Sequence, residues 1–173
     1  MDILVSSNLE RLLYSLCGSD TEVAGYMQQL REQGRYTVSD ALLAKIRETF
    51  AGGCCNDIQT REKIGRAWRD HRYLIDTHTA VAYHVLDEYR CETGDTAPAA
   101  VVSTASPFKF CDQVLRGIGG TADAFGPELI RRLTCETQID APAPLTGLDA
   151  RPVRFGGCVD QSQMLHTVDE FLK

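Results

Sequence analysis

The segment Ala99-Ala100-Val101-Val102-Ser103-Thr104 is the stretch of sequence that decides the predicted fold. It is a short apolar run that ends in two hydroxyl side chains, with Pro98 before it and Ser106-Pro107 shortly after it. Such a run is typical of a strand that is buried on both faces of a parallel sheet. Pro107 suits the first position of a helix that Ser106 caps. We therefore predict one buried parallel strand at about 99–104 that leads into a helix.

The residues before this segment have the periodicity of helices. Apolar side chains recur every three or four residues, and the runs begin near capping residues such as Ser7, Asp20 and Ser39. Helices are predicted at about 7–18, 20–34 and 39–50, from Asp57 or Thr60 through Trp68, and from Asp76 to Gly94. Residues 1–95 are thus predicted to be a mostly helical region.

Residues 96–173 are predicted to combine the strand with further helices. We expect a loop at 117–125, helices at 127–133 and 160–172, and an extended connector at 142–147. Further short strands are possible at 151–155 and near Ile139. Because one strand cannot satisfy its own backbone hydrogen bonds, either such strands are hidden or the partner strands are missing. The predicted fold class is α/β and helix-rich.

Composition and charge limit the possible functions. The chain has 173 residues, which suits a single domain. Its 18 Lys and Arg against 24 Asp and Glu give a net charge of -6, and no basic run is long enough to follow a nucleic-acid backbone. The sequence has no apolar stretch long enough for a membrane span, and its first residues lack the features of a signal peptide. We expect a cytoplasmic protein that binds neither nucleic acid nor membrane.

The cysteines and lysines limit the chemistry further. Seven cysteines, an odd number without a C-x-x-C pair, are expected to be reduced thiols used mostly in packing. His78 and His84 are six residues apart, and adjacent Cys54 and Cys55 cannot both face one ion, so no metal site is predicted. Few positions can carry amine chemistry, because the only lysines are Lys45, Lys63, Lys109 and Lys173.

Three segments, in order along the chain, resemble the bacterial threonine synthases. They are MDILVSSNLERLL at 1–13, DTHTAVA at 76–82 and STASPFKF at 103–110. The resemblance extends more weakly over the remaining helices and the 142–147 connector, and so covers essentially the whole chain. Thr77 and Cys111 stand where the family usually or often has proline, and these departures affect local backbone rigidity.

The resemblance implies the C-terminal portion of a fold type II enzyme dependent on pyridoxal 5'-phosphate. The family converts O-phosphohomoserine and water into threonine and phosphate. In the family, the lysine that binds the cofactor covalently and the loop that holds the cofactor phosphate lie upstream of the matching region. None of the four lysines here has that context. We therefore expect no catalytic residue in this chain, no activity of the chain alone, and a partner in the missing N-terminal part, with self-association possible at an uncovered sheet edge.

Four residues are predicted to line the cofactor site. Thr104 ends the predicted strand, where ligands of open α/β sheets bind, and the resemblance implies that its hydroxyl contacts the pyridine nitrogen, with Ser103 as the replacement. Asp76 and Thr79 stand at a helix start that, in the family, passes along the pyridine edge. The alternatives are that Thr104 caps a helix and that Asp76 is only a helix cap.

Four further residues are weaker candidates for substrate binding. Lys109 follows the predicted strand, where backbone donors already favour an anion. Asn8 and Arg11 could approach the substrate phosphate, and His78 could position the substrate. Each also has a simpler interpretation as a solvated or packed side chain.

A second function remains open at this point. The helix-rich first 95 residues carry caps that could fold locally, so the chain could instead be a non-catalytic helical interaction module.

Overall fold

A computed structural model describes residues 5–152, 154 and 156–173 of the chain. The elements found there are helices. The α-helices are α1 (Ser7–Cys17), α2 (Asp20–Gln33), α3 (Asp40–Arg47), α4 (Asp57–His71), α5 (Thr77–Thr93), α6 (Cys111–Ile118), α7 (Pro127–Thr137) and α8 (Met164–Phe171). Single 3-10 turns lie at Pro107–Lys109, Ala143–Leu145, Leu148–Ala150 and Gln161–Gln163. The prediction of a helix-rich chain is confirmed.

The predicted buried strand at 99–104 does not form in the described residues. The segment has no regular secondary structure, and most of it is exposed, with Val102 exposed by 73%. A strand is defined by pairing with a neighbour, and the part of the chain that the structure describes contains no strand to pair with. The short strand predicted near Ile139 is also absent, and the one at 151–155 lies partly outside the described residues.

The helix starts follow the sequence signals, with shifts of one residue at some caps. Ser6 rather than Ser7 caps α1, Ser19 rather than Asp20 caps α2, and Ser39 caps α3 as predicted. Asn56 caps α4 through a capping box with Gln59. In α1 and α2, the hydroxyl of the serine one residue before the predicted cap accepts a hydrogen bond from a free N–H group of the first turn.

The second half departs further from the predicted bounds. After Ser106, a 3-10 turn comes first and α6 follows. Because α6 continues to Ile118, the loop predicted at 117–125 begins only at Gly119. Gly119 ends α6 in the left-handed conformation, with a φ of 88°. The 142–147 connector contains the 3-10 turn Ala143–Leu145 instead of being extended throughout. The C-terminal helix begins as a 3-10 turn and becomes α-helical at Met164.

The chain divides into two compact units. The first combines residues up to Cys54 with Val85–Thr96, and the second combines Cys55–His84 with the residues from Ala97 onward. The core of the first unit contains Leu13, Val23, Tyr26 and Leu42. The Tyr26 hydroxyl donates to Glu22 Oε1 at 2.6 Å and accepts from the Ser39 amide at 3.2 Å, which joins α2 to the start of α3.

The second unit is built around the packing of α4 against α6. Ile64 and Ala67 of α4 are buried with Val114 and Leu115 of α6. A Cβ added at Gly65 would lie 2.4 Å from the backbone oxygen of Gly117, so glycine is needed for this close approach. Leu133 of α7 and the residues just before α5 complete the core. No helix in the described residues is long and apolar enough to cross a membrane.

Candidate functional site

Asp76 organises the first turn of α5. Its side chain is fully buried, and Oδ1 accepts hydrogen bonds from the backbone N–H of His78 at 2.8 Å and of Thr79 at 3.3 Å. Oδ2 accepts a short hydrogen bond from the Thr79 hydroxyl. These donors compensate the cost of burying the carboxylate. The predicted capping role of Asp76 is therefore present, together with a side-chain contact that capping alone does not require.

Thr79 connects this turn to the segment that carries Ser103. The two hydroxyl oxygens, Thr79 Oγ1 and Ser103 Oγ, lie 3.1 Å apart, although they are separated by 24 residues in the sequence. A hydroxyl has one proton. Since Thr79 donates that proton to Asp76, the Ser103 hydroxyl donates to Thr79. The result is a chain of hydrogen bonds from Ser103 through Thr79 to the buried carboxylate, and it joins three of the four residues predicted for the cofactor site.

Thr104, the fourth of these residues, is exposed. It directly follows Ser103, whose hydroxyl proton is already used. The Thr104 hydroxyl makes no hydrogen bond to any residue that the structure describes, so it is available to a ligand.

A second group of side chains surrounds Phe110. The His78 ring meets the Phe110 ring edge-on, with centroids 5.1 Å apart and planes at 80°. The Lys109 Nζ lies 5.9 Å from the same ring centroid, and the Lys109 side chain is exposed. His78 and Lys109 thus contact one aromatic ring between them. The sequence prediction did not identify Phe110 as a site residue. The only feature of the sequence that pointed to it was its position next to Lys109.

Asn8 and Arg11 lie in the first unit. Both are exposed residues of α1, and the Arg11 guanidinium donates a short hydrogen bond to Asn8 Oδ1, one turn earlier. The structure places them together on one helix face. Their role in substrate binding stays a prediction.

Lys63 of α4 is a buried cation that the sequence prediction did not single out. It is 6% exposed, and its Nζ lies 4.4 Å from the centroid of the Tyr83 ring. The signal was its position on the apolar face of α4 beside Ile64. The cation–π contact stabilises the Lys63 ammonium next to α5, because Tyr83 lies in α5 one turn after Thr79.

A groove of about 550 Å³ lies elsewhere in the second unit. It is lined by residues of α7 and of the 140–149 connector, among them Ile130, Arg131 and Leu145. None of the predicted site residues lines it. The groove is a weaker candidate site than the polar cluster at Asp76. Its arginine, Arg131, is already paired with Glu128 and Asp149. Within the described residues, no group of three or more His, Cys, Asp or Glu side chains is placed to hold a metal ion.

The cysteines differ from their predicted packing role. All seven are free, but Cys54, Cys91, Cys135 and Cys158 are exposed, and only Cys111 is buried. Cys111 starts α6, where its thiol donates to the backbone oxygen of Phe108 at 3.1 Å. Burial raises the pKa of the Cys111 thiol to about 11.

Comparison with solved structures defines the class of protein. A threonine synthase from Brucella melitensis, solved with PLP bound, matches 99% of this chain with a TM-score of 0.70 and 32% identity, and the chain covers 32% of that protein. The yeast threonine synthase shares the fold, with a TM-score of 0.75 over 99% of this chain. The helices described above therefore have the fold of one part of these enzymes.

Comparison with curated sequences leads to the same family, although no protein-family model matches the chain. The threonine synthase of Pseudomonas aeruginosa is 34% identical over 75% of this chain, and that of Eremothecium gossypii is 33% identical over 77%. The chain is a homologue of the threonine synthases. It spans about a third or less of their length, namely 27% and 30% of these two relatives.

Proposed function

We propose that this chain is the C-terminal part of a threonine synthase and forms one wall of its cofactor site. The complete enzyme would use pyridoxal phosphate to convert O-phosphohomoserine and water into threonine and phosphate. The hydrogen-bond chain Ser103–Thr79–Asp76 is the observation that carries the proposal. It brings together two of the segments that resemble the family and leaves the next hydroxyl, Thr104, available.

The residues present fit one edge of the cofactor. A hydroxyl suits a pyridine nitrogen because it can donate a hydrogen bond to the unprotonated nitrogen without holding it protonated, as a carboxylate would. Thr104 would supply this contact, and Ser103, Thr79 and Asp76 would fix the backbone that carries it. When bound, the cofactor supplies the electron sink for the reaction at the substrate carbons.

Two of the four lysines make contacts that do not suit covalent attachment of the cofactor. Lys63 is buried against Tyr83, and Lys45 donates to the backbone oxygen of Leu16 at 3.1 Å. Lys109 is exposed, and an ammonium there suits attraction of the substrate phosphate. His78, held against Phe110, would position the substrate. By the resemblance to the family, covalent attachment falls to a part of the enzyme outside this chain.

Complementation tests the proposal. The chain would be incubated with pyridoxal phosphate and O-phosphohomoserine, alone and after co-expression with the remainder of the P. aeruginosa enzyme. We expect threonine only from the combination. A Thr104→Val variant should lower the rate at least tenfold. Thr121→Val, at an exposed loop hydroxyl that makes no hydrogen bond to a described residue, should not change it.

Each other outcome contradicts a stated part of the proposal. Threonine from the chain alone, or borohydride trapping of the cofactor on one of its lysines, would show that the chain contains the covalent machinery. No threonine from the combination would favour the non-catalytic helical module.

A further inference from the structure

The aromatic ring of Phe110 contacts both of the basic side chains that the proposed function assigns to the substrate. It meets the His78 ring edge-on, with 5.1 Å between the ring centroids, and the Lys109 Nζ lies 5.9 Å from the Phe110 centroid. His78 belongs to the first turn of α5, and Lys109 ends the 3-10 turn before α6. One ring therefore joins basic groups from two separate elements of the second unit.

The surroundings of Phe110 hold its ring in place. The Phe110 backbone N–H donates to the backbone oxygen of Pro107 at 3.1 Å, and its backbone oxygen accepts from the Val114 N–H at 3.0 Å. The ring is half-buried and packs against the core of the second unit. The Lys109 side chain, in contrast, is exposed, and a free lysine side chain samples many rotamers. Phe110 is thus the rigid member of the group.

His78 is held at its backbone and at its ring. Its N–H donates to Asp76 Oδ1 at 2.8 Å. The T-shaped contact with Phe110 favours one orientation of the imidazole, because the edge and the face of an aromatic ring carry opposite partial charges. Among the residues that the structure describes, none forms a hydrogen bond or ion pair with the imidazole nitrogens or with the Lys109 Nζ. A phenyl ring orients these groups without using their donors.

The two groups together suit a phosphoryl group. The ammonium of Lys109 is a compact positive charge of the kind that binds phosphate. The His78 imidazole carries at least one N–H donor in either protonation state. A phosphoryl group has three strong acceptor oxygens, so it can accept from both side chains at once. The same substrate without its phosphate would lose both contacts.

We propose that Phe110 is a positioning residue that sets specificity for the phosphorylated substrate, because it orients His78 and Lys109 towards one phosphoryl group. The inference rests on the proposed function and adds a residue that touches the substrate only through its two neighbours. Leucine at position 110 would keep much of the apolar volume but remove the ring, whereas tyrosine would keep the ring.

Titration of the chain with inorganic phosphate tests the site without the rest of the enzyme. The imidazole signals of the four histidines would be followed by NMR at pH 7.5 and constant ionic strength, with His78→Gln to identify the His78 signal. We expect phosphate to shift that signal to saturation. Lys109→Gln and Phe110→Leu should each raise the Kd for phosphate at least fivefold. Phe110→Tyr should restore it, and Phe125→Leu, at a ring that is 91% exposed, should leave it unchanged.

Kinetics of the chain combined with the remainder of the P. aeruginosa enzyme test the role in the reaction. At saturating pyridoxal phosphate, Phe110→Leu should raise KM for O-phosphohomoserine at least fivefold and change kcat less than twofold, because the ring acts on substrate binding. Phe110→Tyr should restore KM, which a general loss of stability would not predict. Circular dichroism checks the fold of each variant. Phe110→Met fills the same space without a ring and repeats the test if leucine lowers stability.

The outcomes separate this inference from the proposed function. No shift of the His78 signal by phosphate, or equal phosphate affinity of the original chain and Phe110→Leu, overturns the inference and leaves the proposed function standing. A loss of activity that extra pyridoxal phosphate restores also overturns it, because the group would then bind the cofactor phosphate. If phosphate binds as expected but the combination forms no threonine, the proposed function is contradicted and the phosphate site beside Phe110 stands.

Discussion

At the scale of single residues, the hydroxyl of Thr79 is the link between the start of α5 and Ser103. Thr79→Val keeps the shape of the side chain but removes both of its hydrogen bonds. The buried Asp76 carboxylate then loses one donor while it keeps two backbone donors. We expect the free energy of unfolding to fall by about 1–3 kcal/mol, the cost of an unsatisfied buried polar group.

Urea unfolding of the whole chain measures this loss. The control is Thr77→Val, two residues earlier, because the Thr77 hydroxyl makes no hydrogen bond to a described residue. It should change the free energy of unfolding by less than about 0.5 kcal/mol. Equal losses for both variants would mean that the link between Thr79 and Asp76 does not stabilise the protein.

Cys111 gives a prediction about reactivity. The thiolate is the reactive form, and a pKa raised to about 11 keeps this thiol protonated at pH 8. Iodoacetamide should therefore modify the four exposed cysteines first and Cys111 last, as followed by mass spectrometry of the peptides. In denaturant, where burial is lost, Cys111 should react as fast as the others. Early modification of Cys111 in the folded protein would contradict its burial.

The same pKa shift has a consequence for stability. A thiol whose pKa is higher in the folded state favours folding in its neutral form. Its contribution is complete below the unfolded pKa, near 9, and is lost as the pH rises towards about 11.

The sequence could predict individual site residues better than their partners. Asp76 was recognisable as a helix cap because its side-chain hydrogen bonds come from residues only two and three positions later, and local sequence contains that information. The contact between Thr79 and Ser103 spans 24 residues and depends on tertiary packing. The resemblance to a family placed both residues near one site, but only the structure supplies the contact.

At the scale of elements, the crossing of α4 and α6 depends on glycine. Gly65→Ala would place a methyl group against the backbone oxygen of Gly117, which cannot move away as a side chain could. Overpacking of this kind costs about 1–3 kcal/mol or more. We expect a clear fall in the melting temperature, as measured by circular dichroism.

Gly25→Ala is the matched control for this substitution. Gly25 lies within α2, and an added Cβ would meet no atom within 4 Å. Alanine favours a helix over glycine by up to about 1 kcal/mol, so this variant should melt at the same or a higher temperature. If both variants lower the melting temperature equally, the close approach of α4 and α6 is not the cause.

The helices were predictable from the sequence, and the strand was not, for one physical reason. A helix satisfies its backbone hydrogen bonds locally, so caps and periodicity near Ser39 or Asp57 carry most of the information. A strand satisfies them with another strand. The segment 99–104 has the composition of a buried strand, but its conformation depends on a neighbour that the described residues do not provide.

At the scale of the whole molecule, the chain has more apolar surface than its own two cores cover. Leu165 and Val168 of α8 and the segment around Val102 remain exposed, while the homologous enzymes are about three times longer. Length and composition alone suggested an ordinary single domain. The exposed apolar side chains instead mark candidate interaction surfaces, because exposed apolar patches are typical of such surfaces.

This exposed surface makes the solubility of the isolated chain depend on its net charge. At pH 7 the charge of -6 keeps copies apart, and near the isoelectric point of about 5.2 that repulsion vanishes. Dynamic light scattering should therefore show monodisperse particles at pH 7.5 and large, heterogeneous ones near pH 5.2 at the same ionic strength. A double variant with Leu165→Gln and Val168→Gln keeps the charge but loses exposed apolar area, so it should associate less at pH 5.2. Equal association of variant and original chain would mean that other surfaces cause the effect.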